Sequence, residues 1–312
     1  MATPLVRVAD PRYNGAQTLA LMQRAARGKV VLAVFPELGL SAYSCEDLFH
    51  QRALIDAAEE ALLQLMRRSR NLNLAALVGL PVVVDGLLYN CAALIAGGRL
   101  VGVVPKTYLP NYREFYEARQ FTPGDAARAT EVTLAGQTAP FGTALLFRFW
   151  EGFVLHVEIC EDLWVPTPPS SFASLAGATV IANLSASNVV VGKEGYRRQL
   201  VGNQSARCLS AYLYSAAGLG ESTTDLAWDG HAVVYENGTL VAESRRFADA
   251  PQLTAADVDL GRLAADRMRQ NTFGAAALRH RGDVAKFRTV ACPVPAPRGR
   301  ILLERRIEKE RI

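Results

Sequence analysis

The sequence predicts a layered α/β sandwich, and three observations support this fold class. Amphipathic helical patterns alternate with short apolar runs along the 312 residues. The dipeptides Asp85-Gly86 and Gly97-Gly98, which are typical of hairpin turns, lie between such runs. A helix–strand–strand–helix order occurs twice, so that hairpins are mixed with crossovers. This mixture favours a layered sandwich over an all-parallel, doubly wound sheet.

The first part of the chain predicts two helices and four strands. An amphipathic helix is expected over residues 16–28, where Gly28 closes it, and a buried strand is expected over residues 29–37. A second helix is expected over residues 56–72, because its glutamates come early and its arginines late, as the helix dipole favours. Residues 74–106 predict three strands joined by the two turns.

The second part continues the alternation. Residues 144–162 and 224–244 each predict a pair of strands, whereas residues 172–187 and 196–218 each predict a helix followed by a strand. After about residue 266 the periodicity fades into an Arg-rich arm, which we expect to pack on the body or on a partner subunit.

Composition excludes several classes of protein. Half of the residues are apolar and 21% are charged, a globular balance, and the net charge of +4 is too mild to indicate a nucleic-acid partner. No apolar window is long enough for a membrane helix, and the first residues do not resemble a signal peptide, so a soluble cytoplasmic protein is expected. The cysteines lack the spacing of a disulfide framework or a metal site and lie at Cys45, Cys91, Cys160, Cys208 and Cys292.

Three ionisable side chains share one setting, the end of an apolar strand. These are Glu37, Lys106 and Cys160. Strand ends are where α/β enzymes tend to place catalytic groups. A carboxylate can take the thiol proton during attack on a carbonyl, and a lysine can stabilise the oxyanion. Each residue alone also fits an ordinary structural or solvated position, so their joint occurrence carries the hypothesis.

Histidine is the alternative base. His156 precedes Cys160 by four residues on what reads as one strand, so both should face the same side, about 13 Å apart along it. That separation is too large for a hydrogen bond, so a papain-like Cys/His pair is the poorer interpretation.

Five longer motifs surround these residues: "FPELGLSAYSCEDLF", "PKTYLPNYREFYEARQF", "EICEDLWVP", "ANLSASN" and "RMRQNTFG". Together they resemble the nitrilase (carbon–nitrogen hydrolase) superfamily and, within it, the glutaminase domains of glutamine-dependent NAD synthetases. The resemblance implies a nitrilase-like four-layer αββα sandwich over residues 1–265 and, over residues 266–312, an arm similar to the linker before a synthetase domain.

The family's catalytic roles map onto four residues. By the resemblance, Glu37 is the general base, Lys106 the oxyanion-stabilising cation and Cys160 the nucleophile. Glu114 matches the second glutamate that many members use to position the triad.

The family's substrate contacts map onto five further residues. Tyr112 matches a tyrosine that contacts glutamine, and Tyr43 matches one near the exit for ammonia. Glu161 matches the acid that receives the α-amino group, which would explain an acid beside the thiol. Ser187 and Lys193 lie where the family contacts the amino-acid end of glutamine.

The function implied by the resemblance is hydrolysis of L-glutamine through a cysteine thioester, supplying ammonia for NAD synthesis. This step needs no cofactor and no metal. ATP and Mg would belong to the synthetase domain, whose "SGGxDS" motif the sequence lacks. Because the C-terminal arm persists past the hydrolase body, the glutaminase domain of a longer protein is favoured over a free-standing homologue, and a homo-oligomer is expected.

Residues 4–14 look shorter than the usual opening of such a domain, which predicts lower stability than a form with more upstream sequence. Two alternatives remain open. The first is a stand-alone ω-amidase or nitrilase that acts on another small amide. The second is an inactive regulatory or assembly domain.

Overall fold

A computed structural model describes residues 1–297. Its helices are α1 (Pro11–Arg27), α2 (Arg52–Ser69), α3 (Pro169–Leu175), α4 (Lys193–Arg207), α5 (Leu260–Arg269), α6 (Asn271–Arg279) and α7 (Arg281–Val284). Its strands are β1 (Ala2–Thr3), β2 (Leu32–Val34), β3 (Ala75–Val84), β4 (Leu87–Ala96), β5 (Arg99–Pro105), β6 (Glu131–Leu134), β7 (Gln137–Pro140), β8 (Leu145–Trp150), β9 (Phe153–Ile159), β10 (Val180–Ser185), β11 (Ala211–Ala216), β12 (Ala232–Glu236), β13 (Thr239–Glu243), β14 (Gln252–Leu253) and β15 (Arg288–Ala291).

Two sheets dominate the fold. The four-stranded sheet has the order β2-β3-β4-β5, and the seven-stranded sheet has the order β13-β12-β11-β10-β9-β8-β15. The first sheet contains the predicted hairpins, with β3 antiparallel to β4 and β4 antiparallel to β5. The second sheet has a parallel centre, because β10 pairs in parallel with both β9 and β11. The predicted mixture of hairpins and crossovers is therefore confirmed.

The elements form four layers. Helices α1 and α2 cover one face of the four-stranded sheet, and their buried residues share an apolar cluster with alternate residues of β3 and β4. The opposite face packs on the seven-stranded sheet, where Leu77 and Leu94 meet Leu155 and Leu184. Helix α4 covers the far side of the seven-stranded sheet through Val201. The fold is thus the αββα sandwich expected for a nitrilase-like domain.

The first helix begins at Pro11, earlier than the expected residue 16, and ends at Arg27, just before Gly28 as expected. The Asp10 side chain caps it by accepting a hydrogen bond from the backbone nitrogen of Tyr13 at 3.0 Å. Pro11 occupies the first helical position, where its missing N–H costs nothing, and Gly28 follows the last turn. The buried face includes Leu19 and Met22, in keeping with a helical period of 3.6 residues.

The arm after residue 265 is more ordered than its sequence suggests. The expected boundary falls inside α5, and α6 and α7 follow where no helix was predicted. Strand β15 pairs in parallel with β8 and extends the main sheet. The rest of the expected arm, residues 298–312, lies outside the described residues. The paired strands β6 and β7 were also not predicted.

Both sheets bring strand ends to one region. Glu37 follows β2, Lys106 follows β5, and Cys160 follows β9. The backbone nitrogen of Glu37 reaches the carbonyl of Ser185, at the end of β10, at 3.4 Å. The three residues singled out by sequence therefore lie where the two sheets face each other. Within the described residues, no helix is both long and apolar enough to cross a membrane.

Gly79 allows the loop that carries Glu37 to lie against β3. A Cβ atom at position 79 would come within 2.3 Å of the backbone nitrogen of Leu38 and 2.7 Å of the carbonyl oxygen of Pro36. Such distances are far below van der Waals contact, so any larger residue would displace the loop. Glycine at position 79 therefore helps to fix the Glu37 backbone.

Candidate active site

Lys106 lies between two carboxylates. Its Nζ is 2.6 Å from Glu37 Oε1 and 2.6 Å from Glu117 Oε1, and all three side chains are buried. Burial alone would lower the pKa of Lys106, but the charges of Glu117 and Glu37 outweigh it and hold that pKa well above its usual value. The lysine is therefore a fixed ammonium ion. An ammonium has three N–H donors, and these carboxylates take two of them.

Two neutral side chains orient the carboxylates. Asn90 Nδ2 donates to Glu37 Oε1 at 2.7 Å, and the Tyr43 hydroxyl donates to Glu117 Oε1 at 2.8 Å. The second oxygen of each carboxylate, Oε2, accepts no hydrogen bond from the described residues. Glu37 is thus held by one oxygen, and its other oxygen has lone pairs that can take a proton.

The second glutamate beside Lys106 is Glu117 and not Glu114, which corrects the placement expected from sequence. Among the described residues, the Glu114 carboxylate accepts a hydrogen bond from Asn188 and does not contact Lys106. The reason is local backbone geometry. The nitrogen of Glu117 bonds the carbonyl of Pro110 at 3.1 Å, and this turn folds the buried Glu117 back towards the lysine. Glu117 also lines an aromatic pocket with Tyr43, Phe49, Phe115, Tyr116, Phe121 and Trp228.

Cys160 follows β9 in a strained conformation. Its φ of 42° lies in the left-handed region, which costs a non-glycine residue about 1–2 kcal/mol. Asn183, on the neighbouring strand β10, offsets this cost, because its Oδ1 accepts a hydrogen bond from the Cys160 nitrogen at 3.1 Å. Asp162 fixes the other side of the turn by accepting from the nitrogens of Ile159 and Tyr108, both at 2.9 Å.

The Cys160 thiol is protonated at neutral pH. Burial, together with the charge of Glu37, raises its pKa to about 12, although Lys106 and a hydrogen bond with Ser185 oppose the rise. The charges of both other strand-end residues therefore act on the sulfur. Because so little thiolate forms spontaneously, attack on a carbonyl requires a base that removes the proton as the bond forms.

His156 is not placed to be that base. The expectation that His156 and Cys160 face the same side is wrong, because the left-handed turn at Cys160 breaks the strand alternation. Cys160 joins the apolar cluster between the sheets, whereas the His156 ring lies 5.8 Å from the ring of Phe287. The His156 Nδ1 is 3.3 Å from the carbonyl of Leu145, and burial lowers its pKa to about 4.

The residues predicted to bind substrate form two groups. Tyr112, which is half exposed, donates a hydrogen bond to Glu161 Oε1 at 2.9 Å. Lys193 donates to the Asn188 side chain, and its Nζ lies 4.9 Å from the centre of the Trp164 ring. Both groups border the turn that carries Cys160.

The remaining two residues predicted to contact the substrate or product are Ser187 and Tyr43. Ser187 accepts a hydrogen bond from Arg197 at 3.3 Å, and Tyr43 contacts Glu117 as described above. Sequence reasoning missed the partners that orient the site, and no periodic pattern marks them: Asn90, Glu117, Asn183, Asn188 and Arg197. Within residues 1–297, no cluster of His, Cys, Asp or Glu side chains could hold a metal ion.

Glu117→Gln is expected to weaken the pH dependence of stability. Burial raises the pKa of Glu117 from 4.5 to about 7, and Lys106 only partly opposes this. The folded protein thus holds the proton more tightly than the unfolded chain. The resulting stabilisation is complete below pH 4.5 and is lost as the pH rises through about 7. A glutamine side chain at position 117 cannot titrate. The free energy of unfolding of the variant should therefore fall less than that of the wild type over this pH interval.

Urea unfolding of the wild type and of Glu117→Gln at a series of pH values measures the effect. Burial also raises the pKa of Asp162, to about 8, so the slope should be reduced without vanishing. Equal slopes for the two proteins would show that Glu117 does not titrate in this way.

Comparison with known proteins shows to which family the chain belongs. The carbon-nitrogen hydrolase family matches residues 2–268. Glutamine-dependent NAD(+) synthetase of Mycobacterium tuberculosis (strain ATCC 25618 / H37Rv) is 48% identical over 304 residues, which cover 97% of this chain and 45% of that protein. The chain therefore spans about half the length of this relative.

Solved structures agree with this match. The crystal structure of a glutamine-dependent NAD(+) synthetase from Cytophaga hutchinsonii gives a TM-score of 0.73 at 26% identity, covering 81% of this chain and 42% of that one. A mutant of the Nesterenkonia AN1 amidase, from the nitrilase superfamily, gives a TM-score of 0.66 at 20% identity, covering 90% and 94%, and supports the fold alone. The chain belongs to the carbon–nitrogen hydrolase family and has the α/β fold of the nitrilase superfamily.

Proposed function

We propose that this chain hydrolyses the side-chain amide of L-glutamine and supplies the ammonia as one domain of a glutamine-dependent NAD synthetase. The observation that carries the proposal is the ammonium of Lys106, held at 2.6 Å by both Glu37 and Glu117 and electrostatically coupled to Cys160. A base, a cation and a nucleophile in one buried site are the groups that acyl transfer from an amide requires.

Acylation begins with the protonated thiol. Glu37 takes the proton from Cys160 while Sγ bonds the carboxamide carbon, whose C=O electrons move to oxygen. The third N–H of Lys106 donates to this oxyanion. When the oxyanion collapses, the C–N bond breaks and Glu37 transfers its proton to the leaving nitrogen, so ammonia departs and a γ-glutamyl thioester remains.

Deacylation reverses the proton transfers. Glu37 removes a proton from a water molecule whose oxygen bonds the thioester carbon, and Lys106 again stabilises the oxyanion. Collapse breaks the C–S bond, and Glu37 returns the proton to the sulfur. Glutamate and the free thiol are the products. Neither half of the reaction needs a cofactor.

Recognition of the amino-acid end follows from charge. Burial raises the pKa of Glu161, and the hydrogen bond from Tyr112 opposes this; a substrate ammonium would favour its charged form further. Lys193 supplies the cation for the α-carboxylate, close to Ser187. This pairing distinguishes glutamine from an amide that lacks the two charges.

The acceptor of the ammonia would be a synthetase domain that uses ATP and Mg. Relatives named glutamine-dependent NAD(+) synthetase are about twice as long as the segment that this chain covers, which leaves room for such a domain. Amidation of deamido-NAD is then a property of the whole protein.

Ammonia release from glutamine, with and without an added synthetase domain, tests the proposal. Turnover of glutamine should exceed that of α-ketoglutaramate and acetamide, which lack one or both charges of the amino-acid end. Preference for the other amides would indicate an ω-amidase or nitrilase. Absence of turnover with every amide, in both conditions, would indicate a regulatory or assembly domain.

A further inference from the structure

A buried arginine lies directly behind the residues proposed to bind glutamine. Arg197 is in α4, four residues after Lys193, so the two side chains lie on the same face of the helix. The side chains of Arg197 and its partner Asp229 are each only 1% exposed. A guanidinium removed so completely from water requires partners for its donors.

Those partners come from two opposite sides. On one side, Nη1 donates to Asp229 Oδ2 at 2.9 Å and to His231 Nδ1 at 3.1 Å. On the other side, Nη2 donates to the Ser187 hydroxyl at 3.3 Å and to the Asn188 carbonyl at 3.2 Å. The planar guanidinium therefore links the loop after β10 to the segment just before β12.

The side that faces away from the loop is firmly anchored. His231 Nδ1 accepts from Arg197, so Nε2 carries the ring proton and donates it to Glu243 Oε1 at 2.5 Å. Asp229 also accepts from the His231 backbone nitrogen at 3.1 Å and from Arg246 Nε at 3.0 Å. Arg197 is thus held in place independently of the loop.

The other side of the Arg197 guanidinium contacts the loop whose residues are proposed to bind the substrate. Asn188, whose carbonyl Arg197 holds, accepts a hydrogen bond from Lys193 and donates one to Glu114 through its side chain. Ser187, which directly precedes Asn188, accepts a hydrogen bond from Arg197 through its hydroxyl. The positions of both proposed contacts for the α-carboxylate, Ser187 and Lys193, therefore depend on this one guanidinium.

We propose that Arg197 is a positioning residue that sets the site for the amino-acid end of the substrate. This inference rests on the proposed glutamine hydrolysis. Arg197 is too buried to touch substrate and acts through Ser187 and Asn188. A purely structural ion pair would need only Asp229. The Arg197 guanidinium instead divides its donors between Asp229 and the loop after β10, which carries Ser187.

Arg197→Lys tests the proposal, because lysine keeps the charge but has a single nitrogen that cannot span both sides. The KM for glutamine should rise by about 10- to 100-fold, comparable to losing one hydrogen bond to a charged group. The kcat should change by less than about threefold, because Cys160, Lys106 and Glu37 are untouched.

Arg267→Lys is the matched control. Arg267 is also a partly buried helical arginine, and its guanidinium donates to the backbone carbonyls of Cys208 and Leu209. In the described structure it contacts neither Asp229 nor the loop after β10. Its KM and kcat should stay at the wild-type values. An equal rise in KM for both variants would show that loss of any partly buried guanidinium is responsible, and would overturn the specific role of Arg197.

Labelling of Cys160 separates binding from folding and from turnover. The wild type should react faster with 6-diazo-5-oxo-L-norleucine, which has an amino-acid end, than with iodoacetamide, which has none. Arg197→Lys should lose this preference while its reaction with iodoacetamide stays unchanged. Asp229→Asn weakens the contact that holds Arg197 in place, so this variant should lose part of the labelling preference. It serves as the test if Arg197→Lys does not fold.

The outcomes distinguish the two proposals. If the wild type shows neither glutamine turnover nor the labelling preference, the proposal of glutamine hydrolysis is wrong, and the proposed role of Arg197 is wrong as well. If the wild type shows both and the folded variants retain the wild-type KM and preference, only the role of Arg197 is wrong.

Discussion

Replacing Cys160 by alanine is expected to lower ammonia release from glutamine by about 10⁴-fold or more. The variant lacks the sulfur that forms the thioester, and among the described residues no other cysteine has a pKa shifted by the charges of Glu37 and Lys106. Binding should persist, because Glu161 and Lys193 remain. Ammonia release and calorimetric titration with glutamine measure the two effects separately.

Cys208→Ala is the matched control, since Cys208 is a buried thiol that contacts Gln204 and Ser170, away from Lys106. It should retain wild-type turnover. A Cys160→Ala variant that folds, binds glutamine and still turns it over near the wild-type rate would rule out covalent catalysis by Cys160.

Lys106→Met is expected to lower turnover by about 10²- to 10³-fold, the loss typical of removing one oxyanion donor. The variant should also be less stable by about 3–5 kcal/mol, because it leaves Glu37 and Glu117 buried without their shared cation. Steady-state kinetics and urea unfolding measure these two losses. A near-normal rate would exclude Lys106 from catalysis.

A double variant separates the catalytic and structural effects of Lys106. In Lys106→Met combined with Glu117→Gln, one of the two uncompensated charges is gone, so part of the lost stability should return. Turnover should not return, because the oxyanion donor is still absent. Recovery of turnover together with stability would show that Lys106→Met acts only through the fold.

The sequence predicted the parts of the molecule that depend on periodicity and turn chemistry. Helix α1 ends before Gly28, and the strand pairs turn at Asp85-Gly86 and Gly97-Gly98 as expected. Strand ends were also a sound guide to which side chains converge, because Lys106 and Cys160 follow strands that end where the two sheets face each other.

Residues in irregular segments were not predictable in the same way. The loop after Lys106 has no period, so spacing could not decide between Glu114 and Glu117; the bond from Glu117 to Pro110 decides it. Arg197 was not singled out from sequence, because its acceptor Asp229 is 32 residues away along the chain. Such partners follow from tertiary packing, which local patterns do not encode.

The most direct test of the central claim is mass spectrometry of protein quenched in acid during glutamine turnover. A mass increase of one glutamyl acyl group on the Cys160 peptide is expected, and it should disappear once glutamine is exhausted. Continued ammonia release with no acyl group on Cys160 at any time point would contradict a thioester mechanism at the Glu37–Lys106–Cys160 site.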